Sequence, residues 1–167
     1  HVRPFLEKTL TSVIFFPHLL TAVSVAILWK FIYNPRWGLL NAFLTAVGLG
    51  RLAQPWLGKS HLVMSAILVP IAWMTVGFYM LILKAGMDRI PISYFEAAEI
   101  DGASRWQMFR YLTLPLLNDV LMICVVLWAI AALKHFGLVF AMTGGGPSQT
   151  SQLIAVYLFI TEIGRAH

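Results

Sequence analysis

The chain has 167 residues, of which 59% are hydrophobic and 11% charged, with a mean hydropathy of +0.79 and a net charge of +5. A soluble domain carries about 25% charged residues, so this balance points to a bilayer and away from a soluble enzyme. The basic residues are scattered between apolar runs and form no stripe, which argues against a nucleic-acid surface and for topology determinants. Cys124 is the single cysteine, so no internal disulfide can form. The chain opens on His1 and stops soon after an apolar run begins, and is expected to be a fragment of a longer protein.

Thr9 to Trp29 runs without Asp, Glu, Lys or Arg. An α-helix needs about 20 such residues to cross the hydrocarbon core, and the first span is expected over 9–33. Within it Pro17 reads as a kink, His18 as a histidine at the helix end near the interface, and Trp29, Lys30 and Tyr33 as interfacial anchors. Residues 34–59 open on the turn-rich Asn34-Pro35-Arg36-Trp37-Gly38. Leu39, Leu40, Phe43, Leu44 and Val47 follow at i, i+3/i+4 spacing, which predicts a short helix in the interface or against the bundle.

The second span is expected over 60–83. Its mid-span aromatics exceed what lipid contact requires. Gly77 and Ala72 permit close helix packing, and Ile71, Met74, Thr75 and Phe78 form one stripe at a 3.6-residue period. That stripe is the candidate lining of a polar-aromatic pathway, with Ser24 of the first span beside it.

Residues 84–115 interrupt the apolar sequence. Pro91 stops the second span, and Ser93 with Glu96 has the pattern of a capping box. Asp101-Gly102 supplies a turn, because glycine accepts positive φ without steric cost. Ser104 with Gln107 repeats the capping pattern for a second short helix, Arg105 to about Leu112, and Pro115 marks the start of the third span, 116–136. Asn118 and Asp119 fall at the headgroup end of that span. Lys134 snorkels at the other end, where Ala131, Ala132 and His135 are further pathway candidates. Met142 to Thr150 reads MTGGGPSQT. It lacks the Gly-Lys-Ser/Thr of a phosphate cradle, and Pro147 removes an N–H there. A fourth span begins over 151–163 and is truncated.

Glu96-Ala97-Ala98, three residues, Gly102, nine residues, Leu112, one residue and Leu114-Pro115 resembles the EAA loop of ATP-binding-cassette importer permeases. The order Trp29, Asn34-Pro35, Gly38-Leu39-Leu40-Asn41 and the run Thr143-Gly144-Gly145-Gly146-Pro147 with Thr150 are similar to carbohydrate permeases of that superfamily. The resemblance covers roughly Phe15 to Tyr157. It implies an all-α, polytopic helical bundle with about four spans in this chain, forming one transmembrane permease domain over 1–167. It implies a multi-pass protein of the bacterial or archaeal plasma membrane whose 84–115 loop is cytoplasmic and docks on an ATPase. Glu96, Ala97, Ala98, Asp101, Gly102, Ala103, Leu114 and Pro115 are then the coupling residues. The implied partners are an ATPase dimer, a second identical or related permease subunit, an extracytoplasmic binding protein, a sugar-like substrate and the bilayer, without nucleic acid.

With that loop inside, seven basic residues are cytoplasmic and five lie outside, in agreement with the positive-inside rule. No catalytic set is found. Glu96 and Glu99 share a helix face but have no His or Cys beside them, and the histidines lack metal-ligand spacing. No metal site, no cofactor and no Walker motif are expected on this chain, so ATP and Mg belong to the partner ATPase. The competing reading is a secondary transporter or channel for a small polar solute. It would carry ionisable groups within its spans, and these spans are nearly free of them.

Overall fold

The computed structural model describes residues 4–144 and 146–147, and the expected fourth span at 151–163 lies outside them. The described elements are helical. In chain order they are α1 (Pro4–Phe15), a 3₁₀ turn (Phe16–Leu19), α2 (Ala22–Ile32), α3 (Leu39–Ala46), a second 3₁₀ turn (Gly50–Leu52) and α4 (Ser60–Met87). They continue with α5 (Ile92–Ile100), α6 (Arg105–Gln107), a π-helical segment (Met108–Thr113), α7 (Leu114–Leu116), α8 (Asn118–Lys134) and α9 (Phe136–Thr143).

Only α4 is by itself long and apolar enough to cross a membrane among the described residues. Its 28 residues extend about 42 Å at 1.5 Å each. Pro70 lies inside it and is buried.

The expected first span is not one continuous helix. Lys8–Leu19 and Ala22–Ile32 meet at 100°. Pro17 sits in the first turn of the 3₁₀ segment, and Leu20 and Thr21 are extended (ψ 147° and 148°). Thr21 then caps α2, its Oγ1 accepting from the Ser24 N–H at 3.2 Å, so α2 restarts as an independent helix.

The core forms where α2, α4 and α9 meet. Val25 and Ala26 of α2 pack with Val63, Ala66 and Ile67 of α4 and with Leu138, Val139 and Met142 of α9, all nearly or fully buried. Trp29 and Tyr33 also belong to this cluster rather than serving as exposed interfacial anchors. Tyr33 is 4% exposed, and Trp29 meets Trp73 edge-on at 6.0 Å. The physical reason is α9, a helix separate from the expected third span, which folds back over α2.

The break at 16–21 seats α1 against the middle of α4. A Cβ at Gly77 would collide with the Ile14 carbonyl oxygen and lie 2.6 Å from Phe15 Cα, so glycine is what permits this backbone-to-backbone approach. At the loop end, Gly86 similarly admits Leu117, the residue before α8, and Val120 of α8.

The predicted short helix in the 34–59 connection is α3. Asn41 staples it: its Oδ1 accepts from Trp56 Nε1 at 2.8 Å and from the Gln54 N–H at 3.3 Å, and its Nδ2 donates to the Gln54 and Pro35 carbonyls.

Candidate functional site: the polar loop and the α4 stripe

The polar loop is built from its turn outward. α5 ends on Ile100 with Asp101 as its C-cap, and Gly102 follows at φ +77°. The Gly102 N–H donates to the Glu99 carbonyl at 3.0 Å, and the Ala103 N–H donates to the Ala98 carbonyl at 2.9 Å. Those two bonds constitute a Schellman motif, which satisfies the last carbonyls of α5 and sets the chain's exit direction. Ala98 and Ala103, the residues that touch across such a motif, are both half-buried.

Ser104 then starts α6 with a complete capping box. Its Oγ accepts from the Gln107 N–H at 3.3 Å, and Gln107 Oε1 accepts from the Ser104 N–H at 2.7 Å. The corresponding box expected at Ser93 and Glu96 is absent, because α5 begins two residues earlier with Pro91 as its N-cap and no side-chain cap.

The second loop helix also departs from expectation. It does not stop near Leu112 but continues through Pro115 to Leu116, and the bend of 65° falls at Leu117. A regular α-helix through Pro115 would set its ring against the Tyr111 carbonyl. The wider π turn at Met108–Thr113 relieves that clash, and Thr113 Oγ1 closes it on the Met108 carbonyl at 3.4 Å. π segments of this kind occur frequently at functional sites.

These elements enclose a groove of about 300 Å³ lined by Ala98, Asp101, Gly102, Ala103, Gln107 and Tyr111, among others. The outward face is apolar as well as charged. Glu96, Ala97 and Asp101 are exposed, and Ile92 (73%), Ile100 (86%), Trp106 (69%) and Tyr111 (76%) are exposed with them. Leu114 is half-buried and Pro115 exposed, at the far edge of the same segment. Thus the loop residues singled out from the sequence form a continuous structural unit.

The pathway candidates do not. Ile71, Met74, Thr75 and Phe78 lie half-buried along one face of α4, with Thr75 Oγ1 donating to the Ile71 carbonyl at 2.8 Å. Ser24 is exposed on α2, its hydroxyl 2.9 Å from that of Thr21. Ala131 and Ala132 lie on α8, and His135 is half-buried at the junction with α9. Among the described residues no hydrogen bond or ring contact links the stripe to these last four.

What does meet the stripe is His18. Its Nδ1–H donates to the Met74 carbonyl at 3.3 Å, and its ring stacks on Phe78 at 4.8 Å and 14°. Phe15 is a second ring neighbour, tilted at 41° with centroids 5.5 Å apart. His18 therefore does lie at a helix end, but that end is the break beside the midpoint of α4. Sequence reading missed this because the 100° break, not the length of the apolar run, sets its depth. The available signal was Thr21, a capping residue inside an apolar run.

Residues 1–163 match the family described as the inner membrane component of binding-protein-dependent transport systems. The chain belongs to that family. The resemblance read from the loop is borne out, as is the all-α helical-bundle class. This permease-family chain is 35% identical over 150 residues to the trehalose/maltose transport system permease protein MalF of Thermococcus litoralis, covering 90% of this chain and 50% of that one. It is 37% identical over 147 residues to the diacetylchitobiose uptake system permease protein NgcF of Streptomyces coelicolor, covering 87% and 42%. The chain spans about half the length of the curated relatives it matches. In structure it is similar to a bacterial ABC transporter involved in import of the acidic polysaccharide alginate. There the TM-score is 0.80 and the identity 21%, covering all of this chain and 58% of that one; at that identity the likeness is one of fold.

Proposed function

We propose that the complete protein is the membrane-spanning permease subunit of an ATP-driven, binding-protein-dependent importer for a sugar or related polyol. The observation that carries this reading is the loop: a short helix presenting Glu96 and Ala97 outward, ended by a Schellman motif at Gly102 and followed by a fully capped second helix. Such a unit is rigid enough to act as a lever. Glu96 would anchor it on the ATPase, Ala97 and Ala98 would allow close approach, and Gly102 would set the angle to the second helix. Asp101 and Ala103 flank that turn, and Leu114 and Pro115 pass the motion on to α8.

ATP and Mg would be held by the ATPase dimer, and this subunit would itself catalyse no reaction. Closure of the ATPase pair would push the loop, and the spans of this and a second permease subunit would switch from inward-open to outward-open access. A loaded extracytoplasmic binding protein would dock on the opposite face. Relatives named for trehalose/maltose and diacetylchitobiose support the carbohydrate class. The α4 stripe, with Ser24, Ala131, Ala132 and His135, is the proposed pathway.

The test is a cysteine at Ala97 in the full-length chain, co-expressed with its ATPase subunit carrying single cysteines. Disulfide or bifunctional crosslinks that change with nucleotide are expected. Repeated failure across several spacer lengths would remove docking at this helix.

A further inference from the structure

We propose that the end of the bundle opposite the polar loop binds an anionic phospholipid. One acyl chain would lie in the groove between α2, α3 and α4, and the phosphate would lie at the rim near Arg51 and Lys59. Neither the charge nor the groove is used by the transport reading.

The charge comes first. From Thr9 to Leu83 the chain holds Lys30, Arg36, Arg51 and Lys59 and no Asp or Glu. All four cations are exposed, and all lie at or beyond the end of α2 or before the start of α4. The polar loop, by contrast, mixes Asp88, Glu96, Glu99 and Asp101 with Arg89, Arg105 and Arg110. The described stretch 30–59 is therefore cationic, with no carboxylate of its own.

The groove is the second, independent observation. It has a volume of about 520 Å³, and Trp29, Tyr33, Leu40, Phe43, Trp56 and Ala66 are among the residues of its almost wholly apolar wall. That falls within the range of built ligand sites. Two tryptophans share the wall and differ in one respect. Trp56 Nε1 donates to Asn41 Oδ1 at 2.8 Å, whereas the buried Trp29 Nε1 has no partner among the described residues. That donor is itself buried, so what the groove offers an incoming acyl chain is apolar contact rather than a hydrogen bond.

The rim joins the two observations. Lys59 Nζ donates to Gln54 Oε1 at 3.0 Å, and the Gln54 N–H donates to the same Asn41 that holds Trp56. On α4 the groove runs from Leu62 to Val69, the first stretch of about 10 Å at 1.5 Å per residue. A chain entering there would leave its headgroup level with Lys59. Leu39 (71%), Phe43 (62%) and Leu52 (53%) are exposed between the cations. That interleaving suits a lipid surface better than an acidic protein, which would leave the apolar wall uncovered. A free sugar would find almost no polar groups in the groove.

The experiment uses the full-length chain assembled with its partner subunits in detergent. Native mass spectrometry reads retained phosphatidylglycerol against phosphatidylcholine added at equal concentration. Wild type should retain the anionic lipid preferentially, and the preference should fall about fivefold for each of Arg51→Gln and Lys59→Gln, near the value of one surface cation. Val69→Trp, which narrows the groove, should reduce retention of both lipids. Raising the salt should weaken the preference in the unmodified complex, a readout independent of any variant. The same spectrum shows whether each variant has assembled. Equal retention of both lipids by wild type would overturn the proposal, as would unchanged retention in the double glutamine variant. Lipid retention that stays constant while affinity for the binding protein falls would assign these cations to a protein contact instead.

Discussion

Replacing Gly102 by valine alters one backbone angle at the centre of the loop. The native φ is +77°, and a Cβ built there meets nothing within 4 Å, so the penalty is not a collision. It is the cost of holding an L-residue in the left-handed region, about 1–2 kcal/mol. That is a factor of roughly 5–30 in the population of the native turn, and valine should lie at the upper end because a β-branched side chain tolerates positive φ worst. Alanine should be intermediate, and asparagine should retain most of the function because it visits this region routinely. The two bonds at stake are those from the Gly102 and Ala103 N–H groups to Glu99 and Ala98. Without them α5 and α6 lose their fixed angle while the spans on either side stay intact. The assay is substrate-stimulated ATP hydrolysis by the reconstituted transporter in proteoliposomes, with insertion and assembly measured in parallel. Valine should reduce stimulation by the factor above while assembly is unchanged. Wild-type stimulation with valine would refute the lever reasoning. Asparagine as damaging as valine would refute the conformational argument and point to the need for a bare surface at the docking face.

Three further outcomes follow from the packing. Gly77→Ala should destabilise the fold by about 1–3 kcal/mol, as overpacking does, because its Cβ would strike the backbone of Ile14 and Phe15. Gly86→Ala should cost less, since its neighbours are side chains of Val120 and Leu117 at 2.9 and 3.0 Å. Thermal melting of the detergent-solubilised assembly compares the two, and equal melting temperatures would contradict the close approach of α1 to α4. Asn41→Ala should cost about 1–3 kcal/mol by leaving Trp56 Nε1 unsatisfied; an unchanged melting curve would show that the staple contributes little.

Much of the loop was legible in the linear chain because its signals are local. Gly102 needs only its own φ, the Ser104–Gln107 box spans four residues, and the EAA spacing spans twenty. Where a local signal had a competitor it misled. Ser93 and Glu96 fit a capping box, yet the helix starts two residues earlier with Pro91 as its N-cap. Pro115 read as a boundary, yet the π segment before it carries the helix through to Leu116.

The long-range arrangement was another matter. Thr9 to Trp29 has the length and apolarity of a straight span; Pro17 and Thr21 mark a break in it, but neither gives the 100° at which the two helices meet. Hydropathy measures what a segment can bury, not the direction in which it runs. The depth of His18, the burial of Tyr33 and the pairing of α2 with α9 all depend on that direction. The membrane class, the family resemblance and the chemistry of the Gly102 turn were therefore determined by the amino-acid sequence itself, since each rests on composition or on residues close in the chain. The seat of His18 on Phe78, the groove beside Trp29 and the continuation of the second loop helix past Pro115 were decided only by the tertiary structure, because each depends on which helix faces bury one another or on how a helix yields around a proline.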